Sequence, residues 1–309
     1  MQTGPRPGRI LPGGEAEMID KLQFFLTLAR EQHFGRAAED CGVTQPTLSA
    51  AIRQLEGELG VMLVNRGSRY QGLTPEGQRV LEWARRIVGD ARTMKEEMRA
   101  ARSGLSGHVR ISAIPTALSL IPRLTGPFQE KHPAVTFSVQ SATSLKILSQ
   151  LDNLETDIGI TYLDNEPLGR VVSVPLIEER YHLVISTRAP EASRASITWR
   201  EASDLPLCLL TADMQNRRII NKHLGEAGAK VEPRLETNSM IVLFTHVLTG
   251  QWASIMPAEA ARSFGFVDQV AIIPLTDPEP SHLVGLVALE RDPNTPLVSA
   301  LINAARGLR

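Results

Sequence analysis

The stretch VTQPTLSAAIRQLEGELG, residues 43–60, carries the signals of a helix with a defined start and end. Thr44 is a strong N-cap residue, and Pro46 falls in the first turn, where a missing N–H costs nothing. Gly60 is suited to end the helix. Aliphatic side chains recur at spacings of 4, 3 and 4, which predicts one buried face made of Leu48, Ile52, Leu55 and Leu59. The polar side chains remain on the surface, so they are free to contact a partner.

The flanking segments complete the pattern of a winged helix-turn-helix. Residues 19–29 carry apolar side chains at helical spacing, and residues 35–42 form a short second helix. After residue 60, VMLVNRGSRYQGLT predicts a β-hairpin wing around a basic turn. The second helix of such a motif enters the major groove, where Gln can pair with adenine, while Arg can hold phosphates. The candidate DNA-binding residues are therefore Gln45, Pro46, Thr47, Ser49, Arg53, Arg66 and Arg69.

A long helix without an interior proline is predicted over residues 75–105. Its apolar positions alternate in spacing between 4 and 3, at Val80, Ala84, Ile87, Ala91, Met94, Met98, Ala101 and Leu105. Such a seam is typical of a helix that pairs with a second helix. The helix could instead pack on its own domain, but charged residues surround the seam, and we favour dimerisation.

An α/β pattern follows the helix-breaking segment SGLSG at residues 103–107. Strands alternate with helices up to residue 161, and the pattern returns after residue 186, which predicts parallel sheets covered by helices. Segments 144–160 and 239–255 match at the same internal spacing, so we expect two similar lobes. The expected parts are a disordered tail (1–17), a winged helix-turn-helix domain (18–75), a linker helix (76–106), lobe I (107–180 plus 289–309) and lobe II (181–288).

Polar residues at strand ends and helix starts of the two lobes form a candidate effector site. Ligands of open α/β sheets bind outside the carboxyl ends of strands, and helix N-termini favour anions. The rule selects Thr116, Thr143, Ser144, Thr161, Met214, Gln215, Asn216, Asn238 and Ser239. Ser144 and Ser239 could instead be ordinary N-caps, and the two roles can coexist. Hydroxyls with few cations favour a small anion such as a carboxylate.

The composition excludes several classes of protein. Hydrophobic residues make up 42% and the net charge is -1, as in an ordinary soluble protein and unlike a polyanion-coating one. No apolar leader or membrane-spanning run is found, so we expect a soluble, cytoplasmic chain, with Met18 as an alternative start. No sequence pattern for catalysis, a cofactor or a metal site is present, so we expect no enzyme.

Only two cysteines, Cys41 and Cys208, are present, and they lie far apart in the sequence. Cys208 lies in the apolar run PLCLL, where a buried, inert thiol is expected. The alternative is a redox-responsive cysteine.

The segment HFGRAAEDCGVTQPTLSAAIRQLEGELGVMLVNRGSRYQGLTPEGQRVL resembles the DNA-binding domain of the LysR-type transcriptional regulators. The resemblance extends over residues 18–309 and implies a homodimer or a dimer of dimers, a homotetramer, that binds an interrupted inverted repeat in double-stranded promoter DNA. It further implies a small-molecule effector between two lobes similar to a type 2 periplasmic binding protein, and RNA polymerase as a further candidate partner. One departure is Ala50, which stands where many members carry a long polar residue.

The sequence thus predicts an effector-responsive, DNA-binding transcriptional regulator. A cytoplasmic small-molecule binding protein would explain the two lobes but would leave the first hundred residues without a purpose. A redox-responsive regulator that uses Cys208 is the other alternative. Because Ala50 removes one expected DNA contact, we expect Gln45→Ala or Thr47→Ala to reduce site-specific binding more than Ala50→Ser does.

Overall fold

The computed structural model describes residues 17–65, 67, 70–266 and 268–308, which belong to two compact units, Met1–Lys95 and Glu96–Arg309. The predicted tail and the wing arginines Arg66 and Arg69 lie outside the described residues. The first unit holds the helices α1 (Met18–Glu31), α2 (Phe34–Asp40) and α3 (Gln45–Leu59), and α4 (Pro75–Ser103) begins in it.

Helices α1, α2 and α3 all contact one another around a small apolar core. Its fully buried members are Phe25, Leu28, Ala37, Leu48, Leu55 and Leu63. The prediction that Leu59 belongs to the buried face of α3 was wrong, because its side chain is 40% exposed. It lies in the last turn of α3, and the buried positions of that helix end at Leu55.

The start of α4 packs closely against the segment that follows α3. A Cβ atom at Gly77 would lie 2.1 Å from the backbone oxygen of Leu63, so only glycine fits there. Farther along α4 the predicted seam divides into two kinds of position. Ala84 is buried within the chain, whereas Ile87, Met94 and Met98 are 41%, 57% and 64% exposed.

The second unit is built from ten strands and seven further helices within the described ranges. The strands are β1 (Gly107–Ala113), β2 (Val135–Ser141), β3 (Ile158–Tyr162), β4 (Val171–Ser186), β5 (Ile197–Thr198), β6 (Cys208–Leu210), β7 (Leu235–Thr237), β8 (Ala253–Pro257), β9 (Val270–Thr276) and β10 (Ser281–Leu289). The helices are α5 (Ile121–Lys131), α6 (Ser144–Asp152), α7 (Trp199–Ser203), α8 (Gln215–Glu226), α9 (Met240–Leu248), α10 (Ala258–Ser263) and α11 (Pro296–Arg306), with 3-10 turns at Pro115–Leu120 and Pro190–Ser193.

The main sheet has the strand order β2-β1-β3-β10-β4-β9-β5, and β8 also pairs with β4. The predicted parallel pairing is present between β1 and both β2 and β3, and between β6 and β7. Strands β4 and β10 run antiparallel to their neighbours, so the sheet is mixed rather than parallel throughout. The predicted α/β fold class is confirmed, and the antiparallel pairing arises where β4 passes from one lobe to the other and β10 lies beside it.

Strand β4 belongs to both lobes. Its residues 171–180 pair with β10, whereas residues 181–186 pair with β8 and β9. We call the part around β1, β2, β3 and β10 the first lobe and the part around β6, β7, β8 and β9 the second lobe. Strand β10 pairs along its whole length with strands of the first lobe, so the chain re-enters this lobe at residue 281 and not at the expected residue 289.

Candidate DNA-binding helix and effector cavity

The start of α3 presents exposed polar side chains on a well-formed N-terminus. The Thr44 side chain accepts a hydrogen bond from the Thr47 backbone N–H, and Pro46 lies in the first turn, as the sequence predicted. Gly60 ends the helix with a φ of 67°. Among the candidate DNA-binding residues of α3, Gln45, Pro46, Thr47 and Arg53 are exposed, whereas Ser49 is half-buried. Their arrangement suits contact with base edges and phosphates.

The base of the predicted wing is held by a residue that the sequence analysis did not single out. The Glu56 carboxylate on α3 accepts hydrogen bonds from the backbone N–H groups of Leu63 (2.8 Å) and Val64 (3.2 Å). Val64 in turn forms an antiparallel bridge with Leu73. Glu56 therefore fixes the two ends of the wing relative to α3. No local pattern indicates this role, because a glutamate at this point of a helix is normally solvated.

A cavity of about 610 Å³ lies in the second unit and takes residues from both lobes. Four of the predicted effector residues line it: Thr116, Met214, Asn238 and Ser239. The predicted set did not include other residues of the lining, namely the hydroxyl-bearing Ser119, Ser141 and Ser263 and the apolar Leu118, Met240, Ile241 and Phe264. Ser141 ends strand β2, so the rule that selected the other residues could have found it. The described lining holds no charged side chain.

Two elements that line the cavity, the 3-10 turn at Pro115–Leu120 and the start of α9, have polar groups that a ligand can contact. The hydroxyl oxygens of Thr116 and Ser119 are buried without a hydrogen-bond partner among the described residues. Ser239 occupies the N-cap position of α9, but its side chain makes no capping hydrogen bond. The first turn of α9 therefore lacks a side-chain cap on the side of the cavity.

The remaining candidates of the effector site have other contacts. Thr143 is the N-cap of α6 and accepts a hydrogen bond from the Lys146 backbone N–H (3.2 Å). The alternative that both serines are ordinary N-caps was therefore wrong for Ser144, whereas Ser239 does occupy the N-cap position of α9, without a capping hydrogen bond from its side chain. Arg218 on α8 donates to the Ser144 hydroxyl (3.5 Å) and to the Gln215 side-chain oxygen (2.7 Å). Thr161 is buried, and its hydroxyl has no partner among the described residues.

Asn216 joins a buried relay of hydrogen bonds that includes two tyrosines and a glutamate. Its amide donates to the Tyr181 hydroxyl (3.2 Å), Tyr181 lies 2.9 Å from the Tyr162 hydroxyl, and Tyr162 donates to a carboxyl oxygen of Glu179 (3.0 Å). The second carboxyl oxygen of Glu179 has no partner among the described residues. The relay therefore ends on a carboxyl group that accepts a single hydrogen bond from the described residues.

Burial raises the pKa of Glu179 to about 7, because a charged carboxylate loses its hydration there. The hydrogen bond from Tyr162 and the nearby Thr116 hydroxyl act in the opposite direction, although Thr116 does not complete a hydrogen bond of ordinary geometry. Burial also raises the pKa of Tyr162 and Tyr181 well above the ordinary value, so both hydroxyls keep their protons.

The two cysteines differ in burial, since Cys208 is buried and Cys41 is half-buried. Cys208 is fully buried, and its sulfur lies 3.4 Å from the backbone oxygen of Ala253. Burial raises the pKa of the Cys208 thiol to about 11, and it also raises that of Cys41. The thiolate needed for reaction with an oxidant is therefore scarce at neutral pH.

Within residues 17–65, 67, 70–266 and 268–308 no cluster of three or more His, Cys, Asp or Glu side chains is arranged to hold a metal ion. Over the same residues, no helix combines the length and the apolar character needed to cross a bilayer.

The two units match two family models. Residues 19–78 match the model of the bacterial regulatory helix-turn-helix protein, lysR family, and residues 102–308 match the LysR substrate binding domain. The DNA-binding transcriptional dual regulator OxyR of Escherichia coli (strain K12) is 31% identical over 292 residues, covering 94% of each chain. The hydrogen peroxide-inducible genes activator of Dickeya chrysanthemi is 31% identical over 270 residues, which cover 87% of this chain and 88% of that one.

Solved structures show the same architecture over nearly the whole chain. A full-length OxyR variant from Pseudomonas aeruginosa has a TM-score of 0.73 at 26% identity, and the match covers 95% of this chain and 96% of the other. CbnR in complex with its target DNA has a TM-score of 0.60 at 19% identity, covering 95% and 100% of the two chains. The second similarity concerns the fold alone.

Proposed function

This chain belongs to the LysR family of DNA-binding transcriptional regulators, and we propose that α3 reads promoter DNA while a small anion in the cavity of the second unit controls the outcome. The exposed polar start of α3 supports the proposed DNA reading, because Gln45 and Thr47 are available to contact base edges in the major groove. The start of α9, which has no side-chain cap, lies beside hydroxyls without a partner among the described residues and supports the proposed binding of a small anion. We place the chain in the cytoplasm, without catalytic activity.

Self-association through α4 is part of the proposal. Ile87, Met94 and Met98 are exposed on a helix of 29 residues, and they occupy the predicted heptad seam. A seam of this kind becomes buried when a second copy pairs with it. We therefore propose a homodimer, or a dimer of dimers, on an interrupted inverted repeat. RNA polymerase is included among the partners on the family resemblance alone.

Binding titrations on promoter DNA test the role of α3. Gln45→Ala should weaken site-specific binding by about 1–3 kcal/mol, as expected for the loss of a bidentate base contact. Thr47→Ala should weaken it as well, although Thr47 also contacts the Thr44 hydroxyl (2.9 Å). Ala50→Ser is the matched control, because Ala50 is half-buried and offers no polar group. Equal losses for the three variants, or losses that are the same on unrelated DNA, would contradict the assignment.

The lining of the cavity supports an anionic effector with an apolar body. The first-turn N–H groups of α9 and the hydroxyls of Thr116 and Ser119 can donate to a carboxylate, since helix N-termini favour negative charge. Ile241 and Phe264 offer apolar surface to the rest of the ligand. With no opposing cation among the described lining residues, we propose a monocarboxylate rather than a multiply charged anion.

A thermal-shift series with the full-length protein tests the effector class. Benzoate and hexanoate should raise the unfolding temperature, whereas benzamide and hexanamide should have little effect. Ser239→Asp places a fixed negative charge at the α9 N-terminus and should abolish the carboxylate response. Thr245→Asp is the control, since Thr245 is exposed on the same helix. Equal responses to acid and amide would exclude the anion.

The relatives named hydrogen peroxide-inducible genes activators favour a second candidate, a response to peroxide. In this chain the buried Cys208 thiol is poorly suited to that chemistry, because burial raises its pKa to about 11. The small-anion effector is therefore the function that the geometry supports best.

A further inference from the structure

Two buried imidazoles face each other between α8 and β10. The Nε2 atoms of His223 and His282 lie 3.2 Å apart, and the residues are only 4% and 7% exposed. The outer nitrogens have partners as well. His223 Nδ1 lies 2.8 Å from a Glu226 carboxylate oxygen, and His282 Nδ1 lies 3.1 Å from the side-chain amide of Asn165. The four side chains form one continuous chain of hydrogen bonds.

The chain of hydrogen bonds has one consistent direction. The Asn165 amide donates to His282 Nδ1, so His282 carries its proton on Nε2 and donates it to His223 Nε2. His223 then carries its proton on Nδ1 and donates to Glu226. Both rings are neutral in this arrangement. An added proton on His223 Nε2 would place two N–H groups opposite each other at 3.2 Å and break the central hydrogen bond, whereas an added proton on His282 Nδ1 would face the Asn165 amide at 3.1 Å and break that outer bond.

The pair joins the two lobes. His282 lies at the start of β10, where it pairs across the sheet with Glu179 in the first-lobe part of β4. His223 lies on α8, which packs on β6 and α7. Helix α8 reaches the first lobe at other points too, through the pairing of Arg218 with Glu166 and through its contact with Ser144. Arginine keeps its charge at all relevant pH values, so the imidazole pair is the connection that a proton can break.

The groups around the pair set its response to pH. Asp164 lies 3.8 Å from His282 Nδ1 and favours a proton on that ring, and the Glu226 carboxylate contacts His223 at the other end of the pair. Lys222 on α8 opposes it, and Glu179, Tyr162 and Tyr181 flank His282 from β3 and β4. Trp199 on α7 covers His223 with 5.2 Å between ring centroids. Burial outweighs the attraction of Asp164, and the pKa of His282 is lowered from its ordinary value.

We propose that the His223–His282 contact is a proton-sensitive catch, which holds α8 to the first lobe when both rings are neutral and opens on acidification. Protonation of His223 costs the central hydrogen bond, protonation of His282 costs the bond from Asn165, and either leaves a cation in a buried site, while the Arg218 contacts remain. The lobes can then change their relative arrangement without any effector. The catch thus adds an acid response to a domain whose proposed ligand is a small anion.

Fluorescence of Trp199 measures protonation of the pair. In a full-length chain with Trp83→Phe and Trp252→Phe, Trp199 emission should fall as the pH is lowered from 7.5 to 5.0, because a protonated imidazole quenches a neighbouring indole. In His282→Gln the amide can accept a hydrogen bond from a protonated His223, so the emission change should move to higher pH. His246→Gln, which alters a histidine bonded to the Val242 backbone oxygen, should leave the curve unchanged. An identical curve in His282→Gln would overturn the proposal.

Spin labels on the two lobes measure the opening. Labels at Lys131→Cys on α5 and Arg262→Cys on α10, with Cys41→Ala and Cys208→Ala, report the distance between the lobes in the full-length protein. This distance should differ between pH 7.5 and pH 5.0, and the difference should be absent in His282→Gln. An unchanged distance in the protein with both histidines would refute the catch. Neither result depends on DNA binding or on the carboxylate, so failure here leaves the proposed function standing.

Discussion

Replacing Glu179 by glutamine should stabilise the protein above neutral pH and have little effect in acid. Burial raises the pKa of this carboxyl from 4.5 to about 7, so the folded state prefers the protonated form. The stability that the protonated form contributes is complete below pH 4.5, decreases as the pH rises, and is lost once the pH has passed about 7. At about 1.4 kcal/mol per pKa unit, the loss is ~3 kcal/mol.

Glutamine has the shape of glutamic acid and still accepts the Tyr162 hydrogen bond, but it never ionises. Thermal unfolding of the second unit at pH 5.0 and pH 8.0 measures the difference between Glu179→Gln and the parent. A gain of ~3 kcal/mol corresponds to about 6–12 °C in Tm for a unit of this size. Glu178→Gln is the control, because the Glu178 side chain is 56% exposed and should give the same small change at both pH values. A Glu179→Gln effect that does not grow between pH 5.0 and pH 8.0 would refute the reasoning.

Three further outcomes follow from the packing. Leu55→Ala should destabilise the first unit by about 2–5 kcal/mol in chemical unfolding, whereas Leu59→Ala should cost much less, since Leu55 is fully buried and Leu59 is 40% exposed. Gly77→Ala should lower the Tm of that unit, because the added Cβ would lie 2.1 Å from the Leu63 oxygen; an unchanged Tm would show that α4 shifts freely. Cys208→Ser should leave any peroxide-dependent DNA footprint unchanged, and loss of that footprint would restore the redox alternative.

The helical elements and the fold class could be predicted from the sequence because their signals are local. Thr44, Pro46 and Gly60 define α3 without reference to the rest of the chain, and the structure places its start and end at these residues. The exposure of Leu59 could not be predicted, since periodicity shows which face is apolar but not how far the core extends along the helix. The mixed sheet was also missed. Parallel and antiparallel pairing of β4 and β10 depend on contacts between residues a hundred positions apart.

Only part of the candidate effector site could be predicted, because local signals do not show which side chains the fold brings together. Strand ends and helix starts point to Thr116, Met214 and Ser239, which the fold brings to one cavity. The rule gave no means of separating these from Thr143 and Ser144, whose contacts with Lys146 and Arg218 depend on helix geometry and on the opposite lobe. The Glu179 relay and the histidine pair left no local signal either, because each links side chains from three or more elements.

The course of β4 and β10 makes the second lobe an insertion into the first. Arg180 and Ser281 are directly paired across the two strands, so the chain leaves the first lobe and re-enters it at adjacent points. A short turn that joins these two residues would close a continuous first lobe, and another lobe with neighbouring ends could be grafted at the same junction. Exchange of sensing lobes between relatives could therefore change the recognised ligand while the first lobe and the DNA-reading helix keep their own sequence.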